Sequence, residues 1–211
     1  MKIILFLTSL IALACGASTT KTETNTVHDN VLVTDTAYFA SGCFWCVEAV
    51  FESVKGVKDA VSGYAGGSAN DANYKQVSAG LTNHAEAVAI YYDAEIISYE
   101  TLLTVFFDSQ DPTTLNRQGP DRGSQYRSEI FYQTEEEKEL SIKKIDAVNK
   151  SGVWKNEVVT KVSKLDKFYA AEEYHQNYEK RNPNNTYVLG VSVPRLNRFK
   201  KKHPDLLKEG H

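Results

Sequence analysis

The chain has 211 residues, of which 42% are hydrophobic, 24% are charged and 11% are aromatic. This length and composition predict one domain with a sizeable core. The formal net charge is −3, and the only locally basic run, residues 198–202, is followed closely by Asp205 and Glu209. We interpret that run as a solvated terminal face, so the charge pattern argues against nucleic acid as a partner.

Residues 1–14 have the pattern of a signal peptide. Met1 and Lys2 form a short positive start, and the apolar run that follows is too short to span a bilayer. The run ends with a small residue directly before Cys15, an imperfect resemblance to the lipidation motif of bacterial lipoproteins. We therefore predict export with lipidation of Cys15, while ordinary cleavage near Ala14 with an incidental cysteine stays open.

The next segment, residues 15–33, is rich in threonine, lysine, glutamate and asparagine and offers little apolar surface to bury. Such a composition predicts a disordered polar tether between membrane and domain. The folded domain is predicted over residues 34–195, with a polar C-terminal tail over 196–211. Together these features predict a protein of the cell envelope, either a bacterial lipoprotein or periplasmic, that contacts a membrane only through a lipid anchor.

Strand and helix patterns alternate along the domain and predict a single α/β or α+β fold. Loops as long as the one at residues 110–125 are often functional inside a compact domain. In chain order, we predict a strand at 36–40, a helix from 43 to about 56, strands at 57–64 and 84–92, a helix from Ser98, the loop, a strand at 126–132, a helix from Thr134 to about 149, and a strand at 157–162.

Two cysteines, Cys43 and Cys46, stand where the first strand gives way to the first helix. A helix N-terminus carries partial positive charge and unpaired N–H groups, so we predict a lowered pKa and a ready thiolate at Cys43. Cys46 lies one turn further on, within reach of an oxidised Cys43, as a resolving thiol would be. A disulfide that closes so small a loop would add little stability, so the pair indicates a chemical role rather than a structural one.

Other readings of the cysteine pair are a zinc site, a structural disulfide, a thioredoxin-like oxidoreductase and a non-enzymatic lipoprotein with a vestigial pair. Zinc normally takes four ligands, and the sequence offers no second pair. A thioredoxin-like enzyme also places its pair between strand and helix, but sets a proline at the start of a strand facing the thiols. Here the first proline after Cys46 is Pro112, inside the predicted loop.

Five spaced segments stand out over about residues 36–183. They are GCFWC at 42–46, GV and SGYAGG within 56–67, YKQV and HAEAV within 74–88, DP, RQG and DRGSQYRS within 111–128, and FY, AE, YHQ and Y within 168–178. Together they resemble the type A peptide methionine sulfoxide reductases. The resemblance implies a mixed sheet flanked by helices, of the ferredoxin-like plait kind, and reduction of the S epimer of methionine sulfoxide, free or in proteins. Many members have glycine in place of Cys46 and recycling cysteines near the C-terminus, which this chain lacks.

Roles for individual residues follow from this resemblance. Cys43 is the nucleophile that attacks the substrate sulfur, and Glu86 is the acid that protonates the departing oxygen. An apolar setting would raise the pKa of Glu86 and keep its proton near neutral pH. The implied substrate-binding residues are Phe44 and Trp45 as an apolar wall for the methyl group, Tyr74 and Tyr126 as hydrogen-bond donors to the oxygen, and Asp121 as polar support.

The implied cycle passes through a sulfenic acid on Cys43, which condenses with Cys46 to a disulfide that an external thioredoxin-like donor reduces. The expected partners are this donor and oxidised proteins or free methionine sulfoxide. We expect a monomer without a metal or bound organic cofactor. His84 and His175 are expected to have structural roles.

Overall fold

The computed structural model describes residues 34–210 together with Met1, so the predicted signal peptide, the tether and Cys15 lie outside the described residues. The strands are β1 Asp35–Ser41, β2 Val57–Ala65, β3 Ala85–Tyr92, β4 Arg117–Gln118, β5 Asp121–Arg122, β6 Ser128–Tyr132, β7 Lys161–Lys164 and β8 Phe168–Ala170. The helices are α1 Phe44–Glu52, α2 Tyr74–Ser78, α3 Tyr99–Asp108, α4 Glu135–Lys150, α5 Tyr178–Arg181 and α6 Val193–Lys202. Within residues 34–210, no helix is long and apolar enough to cross a membrane.

A six-stranded sheet in the order β7-β6-β1-β3-β2-β8 forms the centre of the domain, and β4 pairs separately with β5. All neighbouring pairs of the large sheet are antiparallel except β6–β7. The prediction of one domain with a mixed sheet and helices is confirmed. The central strands follow a β-α-β-β-α-β order, but β7 and β8 extend the sheet, and the ferredoxin-like plait stays a prediction.

Helices α1 and α3 pack on the same face of the sheet. Phe39 of β1 lies 5.5 Å from the stacked ring of Phe51 in α1 and 5.1 Å from the ring of Phe106 in α3. The alternation of a strand turns Phe39 toward these helices and its neighbour Ala40 toward a second cluster on the other face. Because β3 lies inside the sheet, its residues are buried on both faces, with only Tyr91 partly exposed.

Most predicted elements are present, with shifted ends. Helix α1 ends at Glu52, and the strand predicted at 157–162 is instead β7, at Lys161–Lys164. The backbone before β7 has other partners, because the Val159 N–H donates to the carbonyl of Pro112 at 2.8 Å. The predicted loop at 110–125 contains the short hairpin of β4 and β5.

The C-terminal boundary predicted at residue 195 needs correction, because residues 193–202 form α6 rather than a polar tail from 196. Phe199 is fully buried, and Arg195 is 6% exposed. Beyond α6, the Lys208 N–H donates to the carbonyl of Ser53 at 2.9 Å. Lys201 and Lys202 at the end of α6 are exposed, whereas Arg195 and Phe199, one helical turn apart, are buried, and Phe199 is part of the core.

Replacing Phe199 with alanine therefore should cost roughly 3–5 kcal/mol of the free energy of unfolding, since it leaves a cavity in the core. Urea unfolding measures the change. Leu189→Ala is the control, because Leu189 is 54% exposed and should change stability by no more than about 0.5 kcal/mol. Equal effects of the two substitutions would show that α6 is not part of the core.

Candidate active site

A glycine turn sets the start of α1 directly after β1. Gly42 has φ +87°, and a Cβ there would lie 2.5 Å from the Cβ of Gln118. Only glycine fits this close approach with a left-handed backbone. Cys43 follows as the residue before the helix, and its carbonyl accepts hydrogen bonds from Cys46 N at 3.1 Å and Val47 N at 3.3 Å. The two cysteines thus lie one helical turn apart.

Both thiols are free and buried, with Cys43 6% and Cys46 2% exposed. The predicted ready thiolate at Cys43 needs correction, because burial raises the pKa of this thiol well above its usual value. The first N–H of the helix, that of Phe44, donates to Glu86 Oε2 at 3.1 Å, which accounts for one of the donors that the prediction assigned to the sulfur. Burial therefore raises the pKa of Cys43 by more than the helix N-terminus lowers it.

Cys46 is the more easily ionised thiol of the pair. A hydrogen bond with Cys43, the positive charge of Arg195 and the hydroxyls of Ser192 and Tyr187 together lower the pKa of Cys46 to about 7, against the effect of burial. Two thiols that share a hydrogen bond titrate as a pair, so the first proton lost leaves one anion shared between them. The polar groups around Cys46 favour its sulfur as the site of that anion.

Glu86 lies on β3 with only 2% of its surface exposed, because both faces of this strand are covered. Burial, followed by the nearby charges of Asp121 and Cys46, raises the pKa of Glu86 to about 8, although the hydrogen bond from Phe44 opposes the shift. Its carboxyl group therefore holds a proton at neutral pH.

Tyr74 and Tyr126 are both brought to this site. Burial and the charges of Glu86 and Cys43 raise the pKa of Tyr74 to about 12, and the same groups raise the pKa of Tyr126. Both phenols therefore stay protonated and remain hydrogen-bond donors. Tyr74 comes from the start of α2, and Tyr126 from the turn before β6.

The aromatic residues after Cys43 differ in exposure. Phe44 is fully buried, and its ring lies 5.1 Å from His175 and 6.4 Å from Tyr74. Trp45 is only partly buried, stacks on Tyr178 at 3.7 Å and donates from Nε1 to His175 Nδ1 at 3.2 Å. Of the two, Trp45 is the one that can present an apolar face to a ligand.

Asp121 joins the site through a tyrosine that the sequence analysis did not identify. The hydroxyl of Tyr187 donates to Asp121 Oδ2 at 2.5 Å and lies 3.9 Å from Cys46 Sγ. Burial raises the pKa of Asp121, while the hydrogen bond from Tyr187 and the charge of Arg195 lower it. Asp121 thus approaches the cysteines from the hairpin of β4 and β5.

A sequence model described as peptide methionine sulfoxide reductase matches residues 35–207. The chain belongs to this family. It is 51% identical over 165 residues to peptide methionine sulfoxide reductase MsrA from Nautilia profundicola, covering 78% of this chain and 94% of the relative. It is 46% identical over 176 residues to MsrA from Pasteurella multocida, covering 83% of this chain and all of the relative.

Solved structures of the peptide methionine sulfoxide reductase family share this fold. Reduced Mxr1 from Saccharomyces cerevisiae superposes with a TM-score of 0.67 at 35% identity, covering 72% of this chain and 87% of that chain. Methionine sulfoxide reductase A of Corynebacterium diphtheriae gives a TM-score of 0.64 at 30% identity, covering 72% of this chain and 76% of that chain.

A second layer of polar contacts holds the reductase site. Glu172 accepts hydrogen bonds from the Tyr64 hydroxyl at 2.7 Å and from the Tyr74 backbone at 3.0 Å, which fixes the start of α2. Buried Arg127 contacts Glu129 at 2.5 Å and the Asn83 carbonyl at 3.0 Å, beside Tyr126. His84 Nε2 lies 2.9 Å from the Ser68 carbonyl, and His175 is part of the aromatic packing. Both histidines fit the structural roles expected of them.

Arg195 is the second residue near the sulfurs that the sequence analysis did not identify. It donates to the Ser109 carbonyl at 2.7 Å and to the carbonyl and hydroxyl of Ser41 at 2.9 Å each. No spacing in the sequence links Arg195 or Tyr187 to the cysteines. The only signal in the sequence is the helical spacing of Arg195 with Phe199, and Phe199 lies in the basic run that we predicted to be part of a tail.

Proposed function

We propose that this protein reduces the S epimer of methionine sulfoxide, free or in proteins, to methionine. The observation that carries the proposal is Glu86, a buried carboxyl with a pKa of about 8 bound to the first N–H after Cys43. A proton donor and a sulfur nucleophile at the same helix start are what sulfoxide reduction requires. Membership of the family supports this activity and disfavours the thioredoxin-like alternative.

In the first step, the anion of the thiol pair must lie on Cys43 while Cys46 holds the proton. The Cys43 sulfur attacks the sulfoxide sulfur, and Glu86 transfers its proton to the oxygen, with Tyr74 and Tyr126 donating hydrogen bonds to it. The hydroxyl group then passes from the substrate sulfur to the Cys43 sulfur, and the bond that the attack formed between the two sulfurs breaks. Methionine leaves reduced by two electrons, and Cys43, oxidised by two electrons, becomes a sulfenic acid.

The substrate's methyl group would lie against Trp45, whose ring is fixed by stacking on Tyr178 and by its hydrogen bond to His175. Phe44 supports this wall from behind, since it is fully buried. Asp121 would add a polar contact at the edge of the site. An apolar wall opposite hydrogen-bond donors distinguishes the methyl from the oxygen on the sulfoxide sulfur.

In the second step, we propose that Cys46 attacks the Cys43 sulfenic acid, which gives a disulfide and one water molecule. The two residues are one helical turn apart, and no other cysteine follows them in the chain. The disulfide must then be reduced from outside. A dithiol protein of the thioredoxin type would supply the two electrons and restore both thiols.

Replacing Glu86 with glutamine should lower the rate of methionine formation in a single turnover by roughly 10²–10⁴-fold, since the proton donor is lost. The wild-type rate should rise as the thiol pair loses its first proton near pH 7 and fall as Glu86 ionises near pH 8. The falling limb should disappear in the variant. Rapid-quench assay of methionine at each pH measures both effects.

Glu48→Gln is the matched control for this experiment. Burial raises the pKa of Glu48 to about 7, but its carboxylate accepts from the Ser62 hydroxyl and the Asn177 backbone, away from Glu86. The variant should keep the falling limb near pH 8. A wild-type rate and profile in Glu86→Gln would rule out Glu86 as the acid.

Replacing Cys46 with serine should leave a sulfenic acid on Cys43 that a dithiol protein reduces slowly. We expect thioredoxin-driven turnover to fall by about tenfold or more, since the intramolecular disulfide has a large advantage in effective concentration. Coupled turnover assays and mass spectrometry of Cys43 test this. Cys15→Ser is the control and should form the disulfide normally; unchanged turnover of Cys46→Ser would remove Cys46 from the cycle.

For residues 1–33 we propose export to the cell envelope, with Cys15 lipidated and the segment after it acting as a tether. The apolar run before Cys15 and the polar composition after it support this proposal. Mass spectrometry of the mature N-terminus should find a diacylglycerol on Cys15, and Cys15→Ser should release the protein from membranes. An unmodified N-terminus near residue 15 would contradict lipidation but not export.

A further inference from the structure

Glu48 is a buried carboxyl group that the proposed reaction does not use. It lies on α1, three residues after Trp45, and is only 2% exposed. Burying a carboxyl group costs free energy unless its oxygens find hydrogen-bond donors. The donors that Glu48 binds therefore indicate what this residue does.

Each oxygen of Glu48 accepts a hydrogen bond from a different part of the chain. The hydroxyl of Ser62, in β2, donates to Oε2, and the backbone N–H of Asn177 donates to Oε1. Neither donor belongs to α1, so this carboxyl group joins the helix both to the sheet and to the residue directly before α5. The first contact serves packing, whereas the second leads to the reductase site.

Asn177 has a backbone conformation that depends on support from its neighbours. Its φ is +52° and its ψ is +34°, in the left-handed region, and its side chain makes no cap hydrogen bond to α5. Residues other than glycine keep this conformation mostly where surrounding contacts hold them. The bond to Glu48 is one such contact. The side chain of Gln176 adds two more, because it accepts from the Ser62 N–H and donates to the Ser62 carbonyl, at 3.0 Å each.

The residues on either side of this anchored pair hold the ring of Trp45. His175 Nδ1 accepts from Trp45 Nε1 at 3.2 Å. The ring of Tyr178 stacks on the indole, with centroids 3.7 Å apart and planes within 8° of parallel. His175 comes two residues before Asn177, and Tyr178 follows it directly. A displaced backbone at Asn177 would therefore move both partners of Trp45 at once.

We propose that Glu48 is a positioning residue for the substrate: by holding the Asn177 backbone, it keeps His175 and Tyr178 against Trp45. This inference rests on the proposed function, in which Trp45 contacts the methyl group of the sulfoxide. It assigns part of the affinity for the substrate to a side chain on the far side of the wall. Loss of Glu48 should then weaken substrate binding more than the chemical step.

Two substitutions of similar size separate hydrogen bonding from packing. Glutamine keeps an oxygen that can accept from the Asn177 N–H, and its NH₂ group can donate to the Ser62 hydroxyl. Methionine fills similar space but leaves both donors buried without a partner. Holding Asn177 requires an acceptor rather than a charge. We therefore expect Glu48→Gln to keep the wall in place and Glu48→Met to loosen it.

The kinetic test is a single turnover of the reduced full-length protein at several concentrations of a methionine sulfoxide peptide. In Glu48→Met, the concentration that gives half of the maximal rate should rise roughly tenfold, since the wall no longer fits the methyl group. The maximal rate should change little, because the bond from the Phe44 N–H to Glu86 does not involve residues 175–178. Glu48→Gln should restore the wild-type concentration dependence.

The fluorescence of Trp45 reports the position of the wall directly. The chain has two tryptophans, Trp45 and Trp154, so a Trp154→Phe background leaves Trp45 as the sole indole emitter. In this background, Glu48→Met should shift the emission to longer wavelength and increase its quenching by acrylamide, because the indole loses its stacking partner to water. Glu48→Gln should change neither property. A general loss of stability would not produce this change in the folded protein.

Glu52→Met is the matched control. Glu52 lies on the same helix, one turn further on, and its carboxylate pairs at 2.9 Å with Lys180, whose side chain is 57% exposed. An ion pair with so exposed a lysine holds α5 only weakly. This variant should keep both the wild-type concentration dependence and the wild-type emission of Trp45.

A Trp45→Ala background tests whether Glu48 acts through the wall. If it does, adding Glu48→Met to Trp45→Ala should raise the half-maximal concentration no further, since the two changes remove the same contact. A second tenfold rise in this background would show that Glu48 affects binding by another route and would overturn the proposal.

The other outcomes are also distinct. Absence of methionine formation in the wild type would refute the proposed function, while the emission of Trp45 would still report its dependence on Glu48. Wild-type binding and emission in Glu48→Met would overturn the positioning role, as would equal defects in Glu48→Gln and Glu48→Met. Thermal unfolding shows whether each variant is folded. If Glu48→Met is not, Glu48→Asp replaces it, because its shorter carboxylate cannot reach both donors; unchanged binding and emission there would likewise overturn the proposal.

Discussion

One hydrogen bond, from the Phe44 N–H to the Glu86 carboxyl, joins the two halves of this site. It ties the start of α1 to the centre of the sheet, so the acid and the thiol are held together by the most buried part of the fold. Raising the pKa of Glu86 from 4.5 to about 8 makes its ionisation about 5 kcal/mol harder than in water. Strand β3, covered on both faces, provides the burial that this requires.

The same burial disfavours the ionised form of the sulfurs, including the Cys43 thiolate that the proposed attack requires. When the pair of Cys43 and Cys46 loses its first proton, the two sulfurs share one negative charge, which the positive charge of Arg195 stabilises. Cys46 is the more easily ionised of the two thiols, so the proposed attack requires the negative charge to move to Cys43. A neutral thiol reacts more slowly than a thiolate, so the raised pKa of Cys43 protects its sulfur from side reactions in the absence of substrate.

Most of what could be predicted about the fold and the site came from short contiguous motifs in the sequence. Cys43 and Cys46 could be predicted as site residues because they lie between a predicted strand and a predicted helix. The role of Glu86 could be predicted because the segment around it resembles a family. Tyr187 and Arg195 escaped prediction because their position beside the cysteines depends on how the C-terminal segment packs against α1. The direction of the Cys43 pKa was also missed, since a helix N-terminus is visible in sequence while the burial around the sulfur is not. The domain boundary predicted at residue 195 was wrong for a related reason. The lysines after it suggested a polar tail, although Arg195 and Phe199 have the spacing of one helical turn.

The C-terminal helix contributes to the site as well as to the core. Cys46, the proposed resolving thiol, lies inside α1, and no cysteine follows it in the sequence. This position puts Cys46 one helical turn from Cys43 but buries its sulfur, so its ionised form needs a positive charge nearby. The guanidinium of Arg195 in α6 supplies that charge and helps to lower the pKa of Cys46. The same helix inserts Phe199 into the core, so the packing that completes the fold also brings the charge to the cysteines.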